Sequence, residues 1–184
     1  MKRFILTTAL LLSSCASAAN PPAVAAHITS RVIPTPYAPQ HDDAIAIVLA
    51  PTSSTEDQTL TALLASELPR MGFHTVDSPE NARWILQGSY MLLTRSITAD
   101  APTADAEPQL LEDREADVRL TLYSVTEFIN GERAAVWTST YYGMPELYQL
   151  HPRTLIRLLL QKFGSDFDGN LHAVEADEHD TEHH

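Results

Sequence analysis

Residues 44–50 read Ala-Ile-Ala-Ile-Val-Leu-Ala and stop at Pro51. Seven apolar residues in succession leave no wet face at either the strand or the helix period, so the run is expected to form a central strand, covered on both sides or flanked by neighbours. Ser53-Ser54-Thr55 then offer N-cap oxygens to Glu56-Asp57-Gln58, with Thr55 and Gln58 at capping-box spacing and acids at the positive end of a helix. Leu60, Leu63, Leu64, Leu68 and Met71 recur at three- and four-residue steps, and Pro69 with Gly72 closes the element. A buried strand leading into a helix with one apolar stripe requires a sheet with a helical layer on it.

The next segments supply that sheet. Phe73 to Val76 reads as a short strand closed by Asp77-Ser78-Pro79. In residues 83–94, Trp84, Leu86, Tyr90 and Leu92 share one face at period two, and Gly88 in that row leaves room for a close neighbour. Residues 99–117 hold seven acids against Arg114, a composition expected of a mobile loop. Val118, Leu120 and Leu122 alternate with polar residues, Asn130-Gly131 predicts a type I′ hairpin turn, and Ala134 to Tyr142 is the return strand. His151-Pro152 opens a second helix with Leu155, Ile156, Leu158, Leu159 and Phe163 inward, ending at Gly164. The expected order β-α-β-β-β-β-α over residues 44–164 gives an α+β two-layer sandwich, a mixed sheet of four to five strands with two helices on one face.

Both flanks read as unstructured. Lys2 and Arg3 precede an apolar run from Phe4 to Leu12, the form of a secretory signal over residues 1–14 that is too short to span a bilayer. Leu12-Ser13-Ser14-Cys15 looks like the lipobox of bacterial lipoproteins, in which the cysteine is acylated, whereas cleavage after Ala16-Ser17-Ala18 would discard Cys15. Ala16 after the cysteine implies, by resemblance to lipoprotein sorting, the periplasmic face of the outer membrane. Residues 15–43 carry five prolines and are expected to be a linker reaching on the order of 85 Å if extended, with Ile28 to Ile33 as an alternative edge strand. The tail, residues 165–184, is acidic and histidine-rich and is expected to be disordered, with loose metal capture by His172, His179, His183 and His184 as the competing reading.

Loss of Lys2 and Arg3 with the leader leaves 10 basic residues against 24 acidic ones, a mature charge near −14. That balance disfavours nucleic acid and anionic membrane surfaces as partners and permits basic proteins. The chain has no Gly-rich phosphate cradle, no Gly-x-Ser-x-Gly elbow and no cysteine pair. Asp166-Phe167-Asp168-Gly169-Asn170 departs from calcium-loop spacing, so neither cofactor nor metal is expected. Trp84, Tyr90, Tyr123 and Trp137 are candidates for an exposed aromatic binding surface, although such residues are more often core. Asp117, Arg119 and Glu132 read as a solvated face before they read as catalytic groups.

The strand ending at Pro51, the helix ending Leu68-Pro69-Arg70-Met71-Gly72-Phe73, the segment Asn81-Ala82-Arg83-Trp84-Ile85-Leu86-Gln87-Gly88-Ser89-Tyr90 and the pair Val136-Trp137 resemble small envelope lipoproteins. The penicillin-binding-protein activator lipoproteins, the curli-secretion lipoprotein and the amino-terminal domain of TolB share that plan. Ala82-Arg83-Trp84 stands where their acidic-aromatic pair would fall. The resemblance implies a non-enzymatic binding module without catalytic residues. The leading expectation is therefore a lipid-anchored adaptor that binds another envelope protein. An accessory lipoprotein of lipid or lipopolysaccharide transport is the alternative, and a periplasmic hydrolase using Asp117 and Glu132 is the reading from a different class.

Overall fold

A computed structural model of the chain describes residues 23–33, 39–50, 53–99, 109–132 and 134–174. The central-strand run forms β2 (Ile45–Ile47), and the leucine stripe follows it as α1 (Thr55–Arg70). The capping box falls one residue earlier than expected: Ser54 Oγ accepts from Asp57 N at 3.1 Å, and Asp57 Oδ2 accepts from Ser54 N at 2.9 Å. Gly72 adopts φ 85° beyond the helix, which only glycine does at low cost.

The sheet continues with β3 (Thr75–Val76), β4 (Trp84–Ala99), β5 (Gln109–Ser124) and β6 (Ala135–Gly143). It is completed by two strands from the supposed flanks, β1 (Ala23–Val32) and β7 (Phe167–Val174). The fold is α+β, but the mixed sheet has seven strands rather than four to five, in the order β3-β2-β4-β5-β6-β1-β7. β2 runs parallel to β3 and β4, and the other pairings are antiparallel. The described helices number four, not two: α1, α2 (Val125–Ile129), α3 (Pro145–Leu150) and α4 (Pro152–Leu160), with a 3₁₀ turn at Pro79–Asn81.

The linker expected over residues 15–43 is thus corrected for residues 23–32, and the alternative edge strand of Ile28 to Ile33 is instead part of an interior strand, because Val24, Ala26 and Ile28 alternate inward and are buried while β1 pairs with β6 on one side and β7 on the other; residues 15–22 and 34–38 lie outside the described residues. A buried relay fixes it: Trp137 Nε1 donates to Ser30 Oγ at 2.8 Å, and Ser30 Oγ donates to the Ser165 carbonyl at 2.8 Å. The disordered tail is likewise corrected for residues 167–174, and the acids Asp166 and Asp168 meet partners on β1. His27 Nε2 lies 2.9 Å from Asp168, Arg31 lies 3.7 Å from the same carboxylate, and Val32 N donates to Asp166 at 2.7 Å. Residues 1–14, Cys15 and residues 175–184 lie outside the described residues.

The acidic loop expected over 99–117 is also corrected for residues 109–117, while residues 100–108 lie outside the described residues. β4 and β5 stay paired from Trp84↔Ser124 to Ala99↔Gln109, whereas β6 accompanies β5 only from Ala116 onward, so the far halves of both strands form a two-stranded arm beyond the sheet. Asn130-Gly131 does not make a type I′ turn, since Asn130 has φ −75° and caps α2, leaving only Gly131 at positive φ.

The core lies between the sheet and α1, α3 and α4. Even-numbered residues of β4 face the helices, and Gly88 sits directly beneath Leu60 and Leu64 of α1. Glu67 of α1 is fully buried and accepts from Arg157 Nε of α4 at 2.7 Å and Arg70 at 3.1 Å, a charged clasp between the two helices.

Candidate functional site

Beyond Leu86, no described strand pairs with β4 on the side away from β5. On that side Trp84 N donates to Ala44, Val48 N to the Leu86 carbonyl, and Tyr90 N to Asp57 Oδ1 at 2.7 Å, so the even-numbered residues of β4 turn their peptide groups outward. The same alternation points the peptide groups of Leu92 and Thr94 out from the edge. Asp57 therefore serves twice, capping α1 and covering one edge amide, and the open edge begins after it.

A groove of about 560 Å³ opens at this edge, lined by Tyr90, Met91 and Leu92 of β4, Ser54 and Glu56 at the start of α1, and Tyr148 and Gln149 of α3. Tyr90 and Tyr148 stack at 4.9 Å between ring centroids. Tyr148 is buried, and its hydroxyl finds no partner among the described residues. Burial first, then Tyr90, Asp57 and Glu56, push the Tyr148 phenol up to about 12, which keeps it a neutral donor at physiological pH. Burial, followed by the charges of Glu56 and Glu146, raises the Tyr90 phenol as well. The rim is thus anionic, the floor aromatic, and one wall a row of backbone donors and acceptors.

The structure disperses the aromatic surface expected from the sequence. Trp137 is fully buried, and Trp84 is buried with its Nε1 donating to Asp43 Oδ2 at 2.7 Å. Tyr123 lies on the opposite sheet face, 5.6 Å from Phe128 of α2. Of the four, only Tyr90 lines the groove, and Tyr148 joins it from a helix that sequence reading missed. Asp117 pairs with Arg119 at 2.8 Å on the same strand, and Glu132 is exposed far along the chain from the groove. Cys15 lies outside the described residues. Among the described residues no group of three or more His, Cys, Asp and Glu side chains converges in a way that could hold a metal ion, and no helix is long and apolar enough to cross a membrane.

No family model and no curated protein matches the chain. Among solved structures, it is similar to a PDZ domain protein from Parabacteroides distasonis, with TM-score 0.54 over 83% of this chain at 8% identity. The chain spans 39% of that protein's length, and at such identity the likeness shows a shared fold alone.

Proposed function

We propose that this chain is a non-enzymatic protein-binding adaptor of the bacterial cell envelope, held at the periplasmic face of the outer membrane by acylation of Cys15. The observation that carries the reading is the open edge of β4 beside the Tyr90–Tyr148 groove, on an arm that outruns its neighbouring strands. Proteins usually cover such edges, because exposed peptide groups recruit other chains; one left open beside an aromatic groove suits recognition of a polypeptide. The leader and lipobox supply the location. The alternative role in lipid or lipopolysaccharide transport gains less support, since Glu56 at the groove repels phosphate groups.

Two measurements test this reading. Wild type should take up labelled palmitate and Cys15→Ala should not; an unlabelled wild type refutes the anchor. A photo-crosslinking residue placed in cells at Ser96 on the arm should trap another envelope protein, while the same residue at exposed Glu80 should not. Absence of any adduct from position 96 refutes the adaptor.

A further inference from the structure

We propose that the groove receives an extended, basic peptide segment of a partner, which joins β4 as an added strand at Leu92 and Thr94 and places a Lys or Arg side chain between Glu56 and the Tyr90–Tyr148 stack. The inference rests on the adaptor reading and specifies its ligand. Three independent features select this occupant.

The first is hydrogen bonding. Antiparallel and parallel ladders alike need alternate residues with outward peptide groups, and β4 presents these in register from Tyr90 onward, with Asp57 occupying only the Tyr90 amide. An incoming helix could not use them, because its own peptide groups are already paired. The second is charge. Glu56 lines the groove and both it and Glu146 bear on Tyr90, while among the described residues no Lys or Arg lines the groove, so a cationic side chain is attracted where an acidic one is repelled. The protein as a whole carries a formal charge of −12, which adds long-range attraction of the same sign. The third is aromatic. The half-buried ring of Tyr90, stacked on Tyr148, offers a π-face to a cation. The chain's own segment 175–184 is acidic and is repelled by the same rim.

The test begins with random decapeptides displayed on phage and selected against the full chain, followed by fluorescence anisotropy with the enriched peptides made synthetically. Enriched sequences should carry Lys or Arg at alternate positions. Leu92→Pro should weaken their binding about tenfold, the effect of losing one well-placed hydrogen bond with some added strain. The Leu92 amide points away from β5, so proline there leaves the β4–β5 ladder whole; Thr94→Pro repeats the test should thermal melts show Leu92→Pro unfolded. Glu56→Gln with Glu146→Gln should weaken binding and flatten its salt dependence. The proposal is overturned by acidic or helically spaced apolar consensus sequences, by no enrichment, or by affinity that survives proline at both positions. A dimer in sedimentation that Leu92→Pro dissolves would place a second copy on the edge and equally overturn it. An envelope adduct from position 96 that persists in Leu92→Pro would sink this proposal and leave the adaptor standing, whereas absence of the adduct sinks the adaptor itself.

Discussion

A methyl group at position 88 has nowhere to go. A Cβ built on Gly88 would lie 2.7 Å from Leu60 Cδ2, 2.8 Å from Leu60 Cγ and 3.1 Å from Leu64 Cδ1. Because Cγ is involved as well as the tip, swinging the end of the Leu60 side chain cannot relieve the contact, and Leu60 and Leu64 are both fully buried. The sheet and α1 must separate by several tenths of an ångström, an overpacking cost typically about 1–3 kcal/mol. Alanine's lower unfolded-state entropy returns roughly 0.5–1 kcal/mol. Gly88→Ala is therefore expected to destabilise by about 1 kcal/mol net, a fall in melting midpoint of roughly 2–4 °C for a chain of this size. Gly88→Leu adds three more carbons to the same contact and should exceed about 3 kcal/mol. Urea and thermal unfolding of both variants measure this, and Leu60→Ala supplies the control. Alone it should cost about 2–5 kcal/mol, but combined with Gly88→Ala the total should fall short of the sum, since the new methyl enters the space vacated. Additive effects, or a Gly88→Ala variant as stable as wild type, would refute the packing argument and mean that α1 does not press on β4 at this point.

Two further outcomes follow from the corrected flanks and from Asp43. Deleting residues 165–184 removes β7 and the carbonyl that holds Ser30, and should abolish the cooperative melt, whereas deleting 175–184 should leave it nearly unchanged; circular dichroism of the two truncations distinguishes them. Burial opposes ionisation of Asp43, but hydrogen bonds from Trp84, the Gln40 amide and Arg83, with the charge of Arg83, outweigh it and hold the carboxyl below its ordinary value of 3.8. A folded value below the unfolded one means that Asp43 stabilises fully above about pH 5 and loses that contribution as pH falls through the folded value. Urea midpoints of Asp43→Asn should therefore depend less on pH than wild type between about pH 5 and 2, and parallel curves would contradict this account.

The strand–helix start of the domain was legible because its signals are local: an unbroken apolar run, a cap and a leucine stripe all within residues 44–72. The capping pair was displaced by one position because Asp57 is shared with the Tyr90 amide, a contact between residues 33 apart in sequence. β1 was visible only as an alternative edge strand over Ile28 to Ile33, because its inward row is Val24, Ala26, Ile28, Ser30 and Val32, two of them small or polar, set between prolines that suggest a linker. β7 carries one acid, Asp168, which meets His27 and Arg31, with Asp166 just before the strand on the Val32 amide, so the charge of this segment reads as disorder until β1 is beside it. The arm shows little alternation because it is solvated on both faces: exposed Glu112, Asp113 and Arg114 follow one another, and only pairing with residues 94–96 reveals a strand. The groove had no local signature, being assembled from residues 54–57, 90–92 and 148–149. Tyr90 was visible as a candidate, but its partner Tyr148 lies on α3, a six-residue helix inside a segment without strong periodicity.

The placement of β1 also sets a distance. With β1 starting at Ala23, only seven residues separate it from Cys15, a reach of at most about 29 Å, not the long spacer that the prolines suggested. β1 descends antiparallel to β6, which puts Ala23 at the end of the sheet where Gly143 lies and from which the β4–β5 arm projects. On the proposed anchor, the tether and the arm leave the body from the same end, so the Leu92 edge would work within a few nanometres of the bilayer. Geometry of that kind selects ligands by height: a partner segment would be met only if it runs near the inner leaflet of the outer membrane, and lengthening residues 16–22 should move the zone of capture outward.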